Sequence, residues 1–200
     1  MTTPTVILFD LGNVLVSIHP EAFLKSLGIA TPENYGRYQA PVIEIVKRYE
    51  RGEDSTEGYL NRLQDLFDGR FDHNNLTRAM LCVIGQPVDG MERLVGRVAA
   101  SRRVAMLSNT NPLHYEFSLK RVPALQLIPL HFLSYKLKSL KPESVIFEKM
   151  LNQLGVEASR VLFIDDLEEN INAARAVGIQ GMVFRSLPQL ESELSELKIV

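Results

Sequence analysis

Four short apolar runs, each ending at a polar residue, constrain the fold of this chain more than any other sequence feature. The first, 6–9, is β-branched and aromatic and stops at Asp10. The other three follow the same pattern: 104–107 before Ser108, 161–164 before Asp165 and 181–184 before Arg185. Continuous apolar runs of this length that end in turns are typical of strands buried on both faces. A weaker strand candidate covers 131–135.

Helical patterns separate these runs. Segment 143–154 is followed by Gly155 and segment 170–177 by Gly178, and glycine is a common residue just after a helix. Segment 88–100 is a third helix candidate. Strands that alternate with helices predict an α/β fold, in which a mostly parallel sheet is covered by helices on both faces. In such sheets the chemistry gathers at the carboxyl ends of the strands, and the polar residues fall there.

One long segment, 17–87, interrupts the alternation. It carries four helical patterns and no run that stands out as a strand: 21–27, 38–51, 56–67 and 74–84. Because it follows the first strand, it is expected to lie over the carboxyl end of that strand. We therefore predict a core domain built from 1–16 and 88–200, with a helical cap formed by 17–87.

Composition and charge exclude several classes of protein. The 200 residues carry 22 basic and 24 acidic side chains, so the formal net charge of −2 gives no electrostatic case for nucleic-acid binding. The single cysteine, Cys82, excludes an intrachain disulfide and a cysteine-rich zinc site. The apolar stretch 6–16 is interrupted by Asp10 and follows no basic segment, which favours neither a signal peptide nor a membrane span. A cytoplasmic location is expected, and no pattern indicates an oligomeric state.

Four polar clusters at or near the predicted strand ends form a candidate site for phosphate chemistry. In chain order they are Asp10, Ser108-Asn109, Lys141-Pro142 and Asp165-Asp166. The acidic residues offer oxygen ligands for a hard divalent cation, which neutralises and orients phosphate. The lysine adds a positive charge, and the serine hydroxyl with nearby backbone N–H groups can bind phosphate oxygens. Asp10 is the best candidate for a carboxylate that attacks phosphorus, because it directly follows a buried strand.

These clusters resemble the motifs of the haloacid dehalogenase-like hydrolase superfamily. The resemblance is carried, in the family's order, by F-D-L-G-N-V-L at 9–15, L-S-N-T-N at 107–111, L-K-P at 140–142 and F-I-D-D-x-x-x-N at 163–170. Within the superfamily, the chain resembles the bacterial α-D-glucose-1-phosphate phosphatase group, which likewise carries D-L-G-N-V, S-N-T-N and a D-D pair. The resemblance implies a Rossmann-like core with a helical cap. It also implies a magnesium-dependent phosphatase that acts on a small phosphorylated metabolite, such as a sugar phosphate.

The resemblance further implies a role for each matching residue. Asp10 would be both the nucleophile and a ligand of the magnesium ion. The main-chain carbonyl of Gly12 and the carboxylate of Asp166 would be the other protein ligands, with Asp165 as a supporting neighbour.

The phosphoryl group is expected to contact three further residues of these motifs. By the same resemblance, Ser108 and Asn109 would bind the transferring phosphoryl group. Lys141 would stabilise its charge and keep the carboxylate nucleophile ionised.

Gly12 departs from the usual pattern of the superfamily. Most of its phosphatases carry an aspartate two residues after the nucleophile, which protonates the leaving alcohol and later activates water. Acid–base groups typically contribute about 10²- to 10⁴-fold in rate, so we expect a slower enzyme, a good leaving group or a substitute acid. His19 is one candidate substitute, because histidine as a residue type changes charge between pH 5 and 8. Arg48, Glu50 and Arg51 are either a solvated face of the cap or residues that reach the substrate.

Two alternative functions use the same residues. A haloacid dehalogenase would need the Asp10 carboxylate but no metal, so the acidic pair Asp165-Asp166 argues against it. A weakly catalytic phosphate- or protein-binding module is suggested by Gly12, because a phosphoryl group on Asp10 would persist without an efficient base. The substrate is not decoded by any motif in the cap.

Overall fold

The computed structural model describes residues 2–200, which form seven strands and ten α-helices. The strands are β1 (Val6–Phe9), β2 (Val16–Ile18), β3 (Ile84–Pro87), β4 (Arg103–Ser108), β5 (Leu130–Leu133), β6 (Val161–Asp165) and β7 (Gln180–Val183). The helices are α1 (Ala22–Ser26), α2 (Pro32–Glu50), α3 (Thr56–Leu66), α4 (His73–Leu81), α5 (Met91–Ala99), α6 (Pro112–Arg121), α7 (Ser134–Leu137), α8 (Ser144–Leu154), α9 (Glu168–Ala176) and α10 (Leu187–Glu196). Within this described part, no helix is both long enough and apolar enough to span a membrane.

The central sheet contains five strands in the order β5-β4-β1-β6-β7. Every neighbouring pair is parallel, and the register sets Phe9 opposite both Met106 and Ile164. The residues that follow β1, β4 and β6 therefore emerge side by side at one edge of the sheet. The predicted parallel α/β fold is confirmed.

The continuous apolar runs reflect burial of the sheet on both faces. Successive side chains of a strand point to opposite faces. Accordingly, Ile7 and Phe9 belong to a core with residues of α5 and α10, whereas Val6 and Leu8 belong to a second core with residues of α8 and α9. All four β1 side chains are at most 1% exposed, so a polar side chain at any of these positions would be removed from water.

Residues 17–87, which we call the cap, contain α1 to α4 around a separate hydrophobic core. That core includes Phe23, Tyr38 and Phe67, and the rings of Tyr49 and Tyr59 stack with centroids 4.3 Å apart. Aromatic pairs of this kind add stability beyond the burial of their area. The cap is therefore packed around a hydrophobic core of its own and is not an irregular loop that lies on the sheet.

Two short strands lie at the ends of the segment in which no run stood out as a strand in the sequence. The antiparallel pair β2 and β3 lies where the chain leaves and re-enters the core domain. These strands have only three and four residues, and β3 reads Ile-Gly-Gln-Pro, which has no apolar run to signal it. One helix start also differs from expectation, because Thr31 accepts a hydrogen bond from the first turn of α2 and begins that helix earlier than its apolar pattern indicated.

Candidate active site

A buried lysine lies between two carboxylates at the carboxyl edge of the sheet. The Lys141 Nζ atom is 2.8 Å from Asp10 Oδ1 and 2.6 Å from Asp165 Oδ2. The Lys141 side chain is only 2% exposed. Burial lowers the pKa of Lys141, but the charges of Asp10 and Asp165 and their hydrogen bonds raise it above the ordinary value overall. The lysine therefore stays positively charged beside the nucleophile candidate.

The pKa of Asp10 lies well above its ordinary value. Burial raises it most, the charge of Asp165 raises it further, and Lys141 opposes both, so that the pKa reaches about 7. Asp10 Oδ1 accepts hydrogen bonds from Leu11 N at 2.7 Å and from Lys141 Nζ. The second oxygen, Oδ2, accepts no hydrogen bond from residues 2–200. It is therefore the oxygen of Asp10 that remains available for a ligand or a reacting atom.

Asn109 positions the lysine through its backbone. Its Oδ1 accepts a hydrogen bond from Lys141 N at 2.8 Å, and its Nδ2 donates to Lys141 O at 2.9 Å. One hydrogen of the Asn109 amide and its backbone N–H are not used by this clamp. The neighbouring Ser108 is buried at the end of β4, and its Oγ donates to Asn109 O at 3.3 Å. Asn109 thus ties the end of β4 to the loop that carries Lys141.

The two aspartates that follow β6 differ in how their oxygens are used. Asp165 is fully buried, and its two oxygens accept hydrogen bonds from Leu167 N, Asn170 Nδ2 and Lys141 Nζ. Asp166 is partly exposed and accepts one hydrogen bond, from Asn13 Nδ2 at 3.0 Å. Asp165 is therefore held in place by other residues, whereas Asp166 has oxygen lone pairs to offer to a cation.

Asn13 links the loop after β1 to this acidic pair. Its Nδ2 donates to Asp166, and its Oδ1 accepts from Ile18 N at 3.0 Å. Its φ of 54° is in the left-handed region, which asparagine tolerates better than most residues. The sequence argument quoted both Asn13 and Asn170 within motifs but gave neither a role in the site. The adjacent pair Gly12 and Asn13 was the sequence signal for a turn with a left-handed residue after β1.

The donor set fits a hard divalent cation. One carboxylate oxygen from each of Asp10, Asp165 and Asp166 lies within 4.8 Å of the others. When the three carboxylates are ionised, they and the ammonium of Lys141 together carry a net charge of −2. Oxygen is also the donor atom that Mg²⁺ prefers. Since the Asp165 oxygens already accept hydrogen bonds, Asp10 and Asp166 are the carboxylates with room for a metal. Gly12, whose carbonyl was expected as a further ligand, lies in the adjacent loop.

A cavity of ≈ 670 Å³ opens between the cap and this edge of the sheet. The predicted site residues that line it are Asp10, Gly12, Ser108, Asn109 and Lys141, whereas Asp166 contributes from the acidic cluster beside it. The cap side of the cavity is mostly aliphatic: Phe23, Val42, Ile43, Val46, Met80 and Val83. Glu50, at the end of α2, is one of the few polar cap residues that face the cavity.

The polar cap residues singled out in the sequence divide between the cavity and the surface. The ring of His19 contacts Ser17 Oγ at 3.2 Å and Glu21 at 3.5 Å, and His19 does not line the cavity. Arg48 pairs with Glu53 and Asp54, and Arg51 pairs with Glu53 and with Glu143 of the core domain: these contacts are ion pairs of 2.7–3.4 Å. Of the three residues at the end of α2, only Glu50 reaches the cavity.

Comparison with known sequences identifies relatives of this chain. The sequence model of the haloacid dehalogenase-like hydrolases matches residues 4–178. A curated D-ribitol-5-phosphate phosphatase of Bacteroides thetaiotaomicron is 29% identical over 186 residues, which is 87% of this chain and 88% of that protein. Flavin mononucleotide hydrolase 1 of Arabidopsis thaliana is 28% identical over 133 residues, which is 66% of this chain and 54% of that protein.

Solved structures with a similar fold extend the comparison. A HAD family enzyme from Bacteroides thetaiotaomicron superposes with a TM-score of 0.84 at 21% identity, covering 93% of this chain and 96% of that one. A structure of that enzyme in complex with magnesium and inorganic phosphate has a TM-score of 0.80 at 22% identity, with 92% and 96% covered. A predicted HAD-like hydrolase from Porphyromonas gingivalis has a TM-score of 0.82 at 20% identity, with 96% and 98% covered.

Proposed function

The chain belongs to the haloacid dehalogenase-like hydrolases, and from this premise we propose that it is a magnesium-dependent phosphatase. Its substrate would be a small phosphorylated metabolite, and its intermediate an aspartyl phosphate on Asp10. The observation that carries the proposal is the buried Asp10–Lys141–Asp165 cluster at the floor of the cavity. A carboxylate held against a buried ammonium, with one oxygen free, is suited to attack phosphorus.

The residues of the site divide the work of phosphoryl transfer. Asp10 Oδ2 would attack the phosphorus, because Oδ1 is held by Leu11 N and Lys141 Nζ. Lys141 would favour the ionised form of Asp10, because it opposes the rise in pKa that burial causes, and would balance negative charge on the phosphoryl oxygens. Ser108 and the remaining N–H groups of Asn109 would orient those oxygens.

Magnesium would be held by carboxylate oxygens of the acidic cluster. The ligands would be Asp10, Asp166 and the carbonyl of Gly12, and the ion supplies positive charge that neutralises and orients a phosphate. Asn13 would orient Asp166 through its hydrogen bond, and Asp165 would hold Lys141 rather than the metal. Partners of this kind, one contact away from a metal, commonly tune its affinity.

The relatives and the cavity support a small substrate. One relative is named for D-ribitol 5-phosphate and another for flavin mononucleotide, both small phosphorylated molecules. A cavity of ≈ 670 Å³ is in the range that accommodates a metabolite. A sugar or polyol phosphate would find hydrogen-bond partners for its hydroxyls in Glu50, Lys47 and Glu169, while the aliphatic cap side would contact carbon atoms.

Release of inorganic phosphate from a panel of sugar, polyol and nucleotide monophosphates tests the proposal. We expect turnover that requires magnesium, stops with chelator and is abolished by Asp10→Asn. Phosphatase activity that persists in Asp10→Asn or that ignores chelator would overturn it. Halide release from a haloacid without magnesium would identify the dehalogenase instead, and a long-lived phosphoryl adduct on Asp10 without turnover would identify a binding module.

A further inference from the structure

Attack of a carboxylate on an alkyl phosphate requires a proton donor on the leaving-group side. The P–O bond to the leaving group breaks as an alkoxide forms, and the alkoxide must be protonated. The reverse task follows, since a water molecule must lose a proton as it attacks the aspartyl phosphate. The loop after β1 offers no such group, because Gly12 has no side chain. A Cβ at that position would already lie 3.1 Å from Ile18 Cγ1.

The titratable residues that line the cavity differ in their freedom to exchange a proton. They are Asp10, Lys47, Glu50, His114, Lys141 and Glu169. Asp10 is the proposed nucleophile, and Lys141 is held between two carboxylates. Lys47 pairs with Glu44 at the surface at 3.2 Å, and Glu169 is exposed in the first turn of α9. None of these four is a free acid on the cap side of the nucleophile.

His114 is also excluded as the proton donor. Its Nδ1 lies 3.1 Å from Asn111 Nδ2, and its Nε2 lies 3.0 Å from the carbonyl oxygen of Met80. Both ring nitrogens are therefore engaged with the protein. Burial lowers the pKa of His114 to about 4, so the ring is neutral at physiological pH.

Glu50 is the remaining candidate, and its backbone is fixed relative to the nucleophile. Its carbonyl oxygen accepts a hydrogen bond from Ser134 Oγ at 2.6 Å. The same hydroxyl oxygen accepts from Thr110 N at 2.9 Å, and Thr110 follows the Ser108-Asn109 pair. The last turn of α2 is thereby tied to the loop that is expected to bind phosphate.

The carboxyl group of Glu50 itself is unpartnered. It is partly buried, lines the cavity together with Asp10, and forms no hydrogen bond or ion pair with any residue in the range 2–200. The two nearest arginines in the chain, Arg48 in α2 and Arg51 directly after it, both form ion pairs with other carboxylates. A carboxyl group in such a place has no structural partner to explain it, and its residue lines the cavity in which a leaving group would lie.

We propose that Glu50 is the acid and base of this reaction, supplied from the cap. As the P–O bond to the alcohol breaks, the Glu50 carboxyl donates its proton to the departing oxygen and becomes a carboxylate. It then takes a proton from the water that attacks the phosphorus of phospho-Asp10. The bond between phosphorus and the Asp10 oxygen breaks, phosphate leaves, and both carboxyl groups return to their starting forms. This assignment rests on the proposed phosphatase function.

The electrostatic surroundings of Glu50 agree with this double role. Burial and then the charge of Asp10 raise the pKa of Glu50 to about 7, with Lys141 opposing them. The buried hydroxyl of Tyr59 also senses the Glu50 charge, since that charge raises the pKa of Tyr59 further. A group that must act first as acid and then as base works best with a pKa near the operating pH.

The test is the dependence of Glu50→Gln on the leaving group. With an alkyl phosphate, whose alkoxide needs a proton, we expect kcat/KM to fall by about 10²- to 10⁴-fold. With p-nitrophenyl phosphate, whose leaving group is stable as an anion, the first turnover should keep its wild-type rate. Later turnovers should be slow, because water activation is lost, so one equivalent of nitrophenolate appears as a burst and phospho-Asp10 accumulates in the intact mass.

Matched variants separate chemistry from structure. Glu44→Gln removes an exposed carboxylate from the same helix and should leave both substrates unaffected. Glu50→Asp keeps an acid on a shorter arm and should recover part of the alkyl phosphate activity that glutamine loses. Asp10→Asn, run in parallel, should remove activity towards both substrates.

Three outcomes would overturn the assignment. Wild-type rates of Glu50→Gln on alkyl phosphates would refute it, as would an equal loss of the first turnover on both substrates, which indicates a positioning role. If Glu50→Gln does not fold, Glu50→Asp provides the test. Its shorter side chain is still expected to reduce activity on alkyl phosphates more than the first turnover on p-nitrophenyl phosphate. A wild type without phosphatase activity would refute the proposed function and this inference with it. An active wild type, combined with a Glu50 variant that affects the first turnover of both substrates equally, would refute the inference alone.

Discussion

Replacing the nucleophile candidate should stabilise the protein. Burial raises the pKa of Asp10 from 3.8 to about 7 in spite of Lys141. Between these two values the folded chain binds a proton that the unfolded chain has released. Folding stability therefore falls as the pH rises from about 4 to about 7. Asparagine carries no charge at any pH, so Asp10→Asn avoids this loss.

The size of the effect follows from the shift. The interval from 3.8 to about 7, at about 1.36 kcal/mol per pKa unit, corresponds to an upper bound of about 4 kcal/mol above pH 7. Lys141 keeps its ion pair with Asp165 at 2.6 Å in the variant, so the buried ammonium is not left alone. We expect Asp10→Asn to be more stable than the wild type by a few kcal/mol, within that bound, while losing its phosphatase activity. A functional carboxylate held at a cost in stability is a familiar trade-off in active sites.

Urea unfolding with chelator present measures this difference. Curves of the wild type and of Asp10→Asn at about pH 8 and about pH 4 yield the free energy of unfolding at each pH. The advantage of the variant should be large at the higher pH and small at the lower. Added magnesium should reduce it, because only the wild type keeps the Asp10 carboxylate as a ligand for the metal. Asp65→Asn, at an exposed position on α3, is the control.

Two results would refute the reasoning. Equal stability of the two proteins at about pH 8 would mean that the ionised Asp10 carboxylate carries no desolvation cost in the folded state. A stability advantage of the same size at both pH values would mean that the variant acts through packing rather than through charge.

Two further substitutions test the neighbours of the nucleophile. Lys141→Ala leaves Asp10 and Asp165 without their shared ammonium, so the free energy of unfolding should fall by about 3–5 kcal/mol and phosphate release should be lost. Unchanged unfolding in urea would contradict that expectation. Asn13→Gly keeps the φ of 54° accessible but removes the donor to Asp166, so magnesium affinity should weaken by about 10- to 100-fold. An unaltered dependence of activity on magnesium would show that this hydrogen bond does not tune the metal site.

The parts of the fold that could be predicted are those encoded by neighbouring residues. The run 6–9 predicted β1 because burial on both faces demands an apolar residue at every position of a central strand. The glycines that follow α8 and α9 marked the ends of these helices, and this signal too is carried by residues next to each other in the chain. The start of α2 was missed because it depends on one threonine hydroxyl and a proline rather than on an apolar pattern. The strands β2 and β3 were missed because each is too short to show a period.

The candidate site was only partly predictable for a related reason. The motifs after β1, β4 and β6 indicated the residues that gather at the sheet edge, since parallel strands in a known order bring their carboxyl ends together. They did not indicate that the Asn109 side chain clamps Lys141, or that Asn13 reaches Asp166. Those contacts join residues 32 and 153 positions apart in the chain.

By itself, then, the sequence determined the alternation of buried strands and helices, the order of the polar clusters and the family they resemble. Only the tertiary structure decided which polar residues of the cap face the cavity. In the sequence, Glu50 stands between two arginine positions and has the pattern of a solvated helix face, whereas His19 is of the residue type that most often serves as a general acid or base. In the structure, Glu50 lines the cavity and its backbone carbonyl is tied to Ser134 of the core domain, whereas His19 does not line the cavity. The direction of a side chain at a domain boundary depends on surfaces that are distant in the chain, and local periodicity does not encode it.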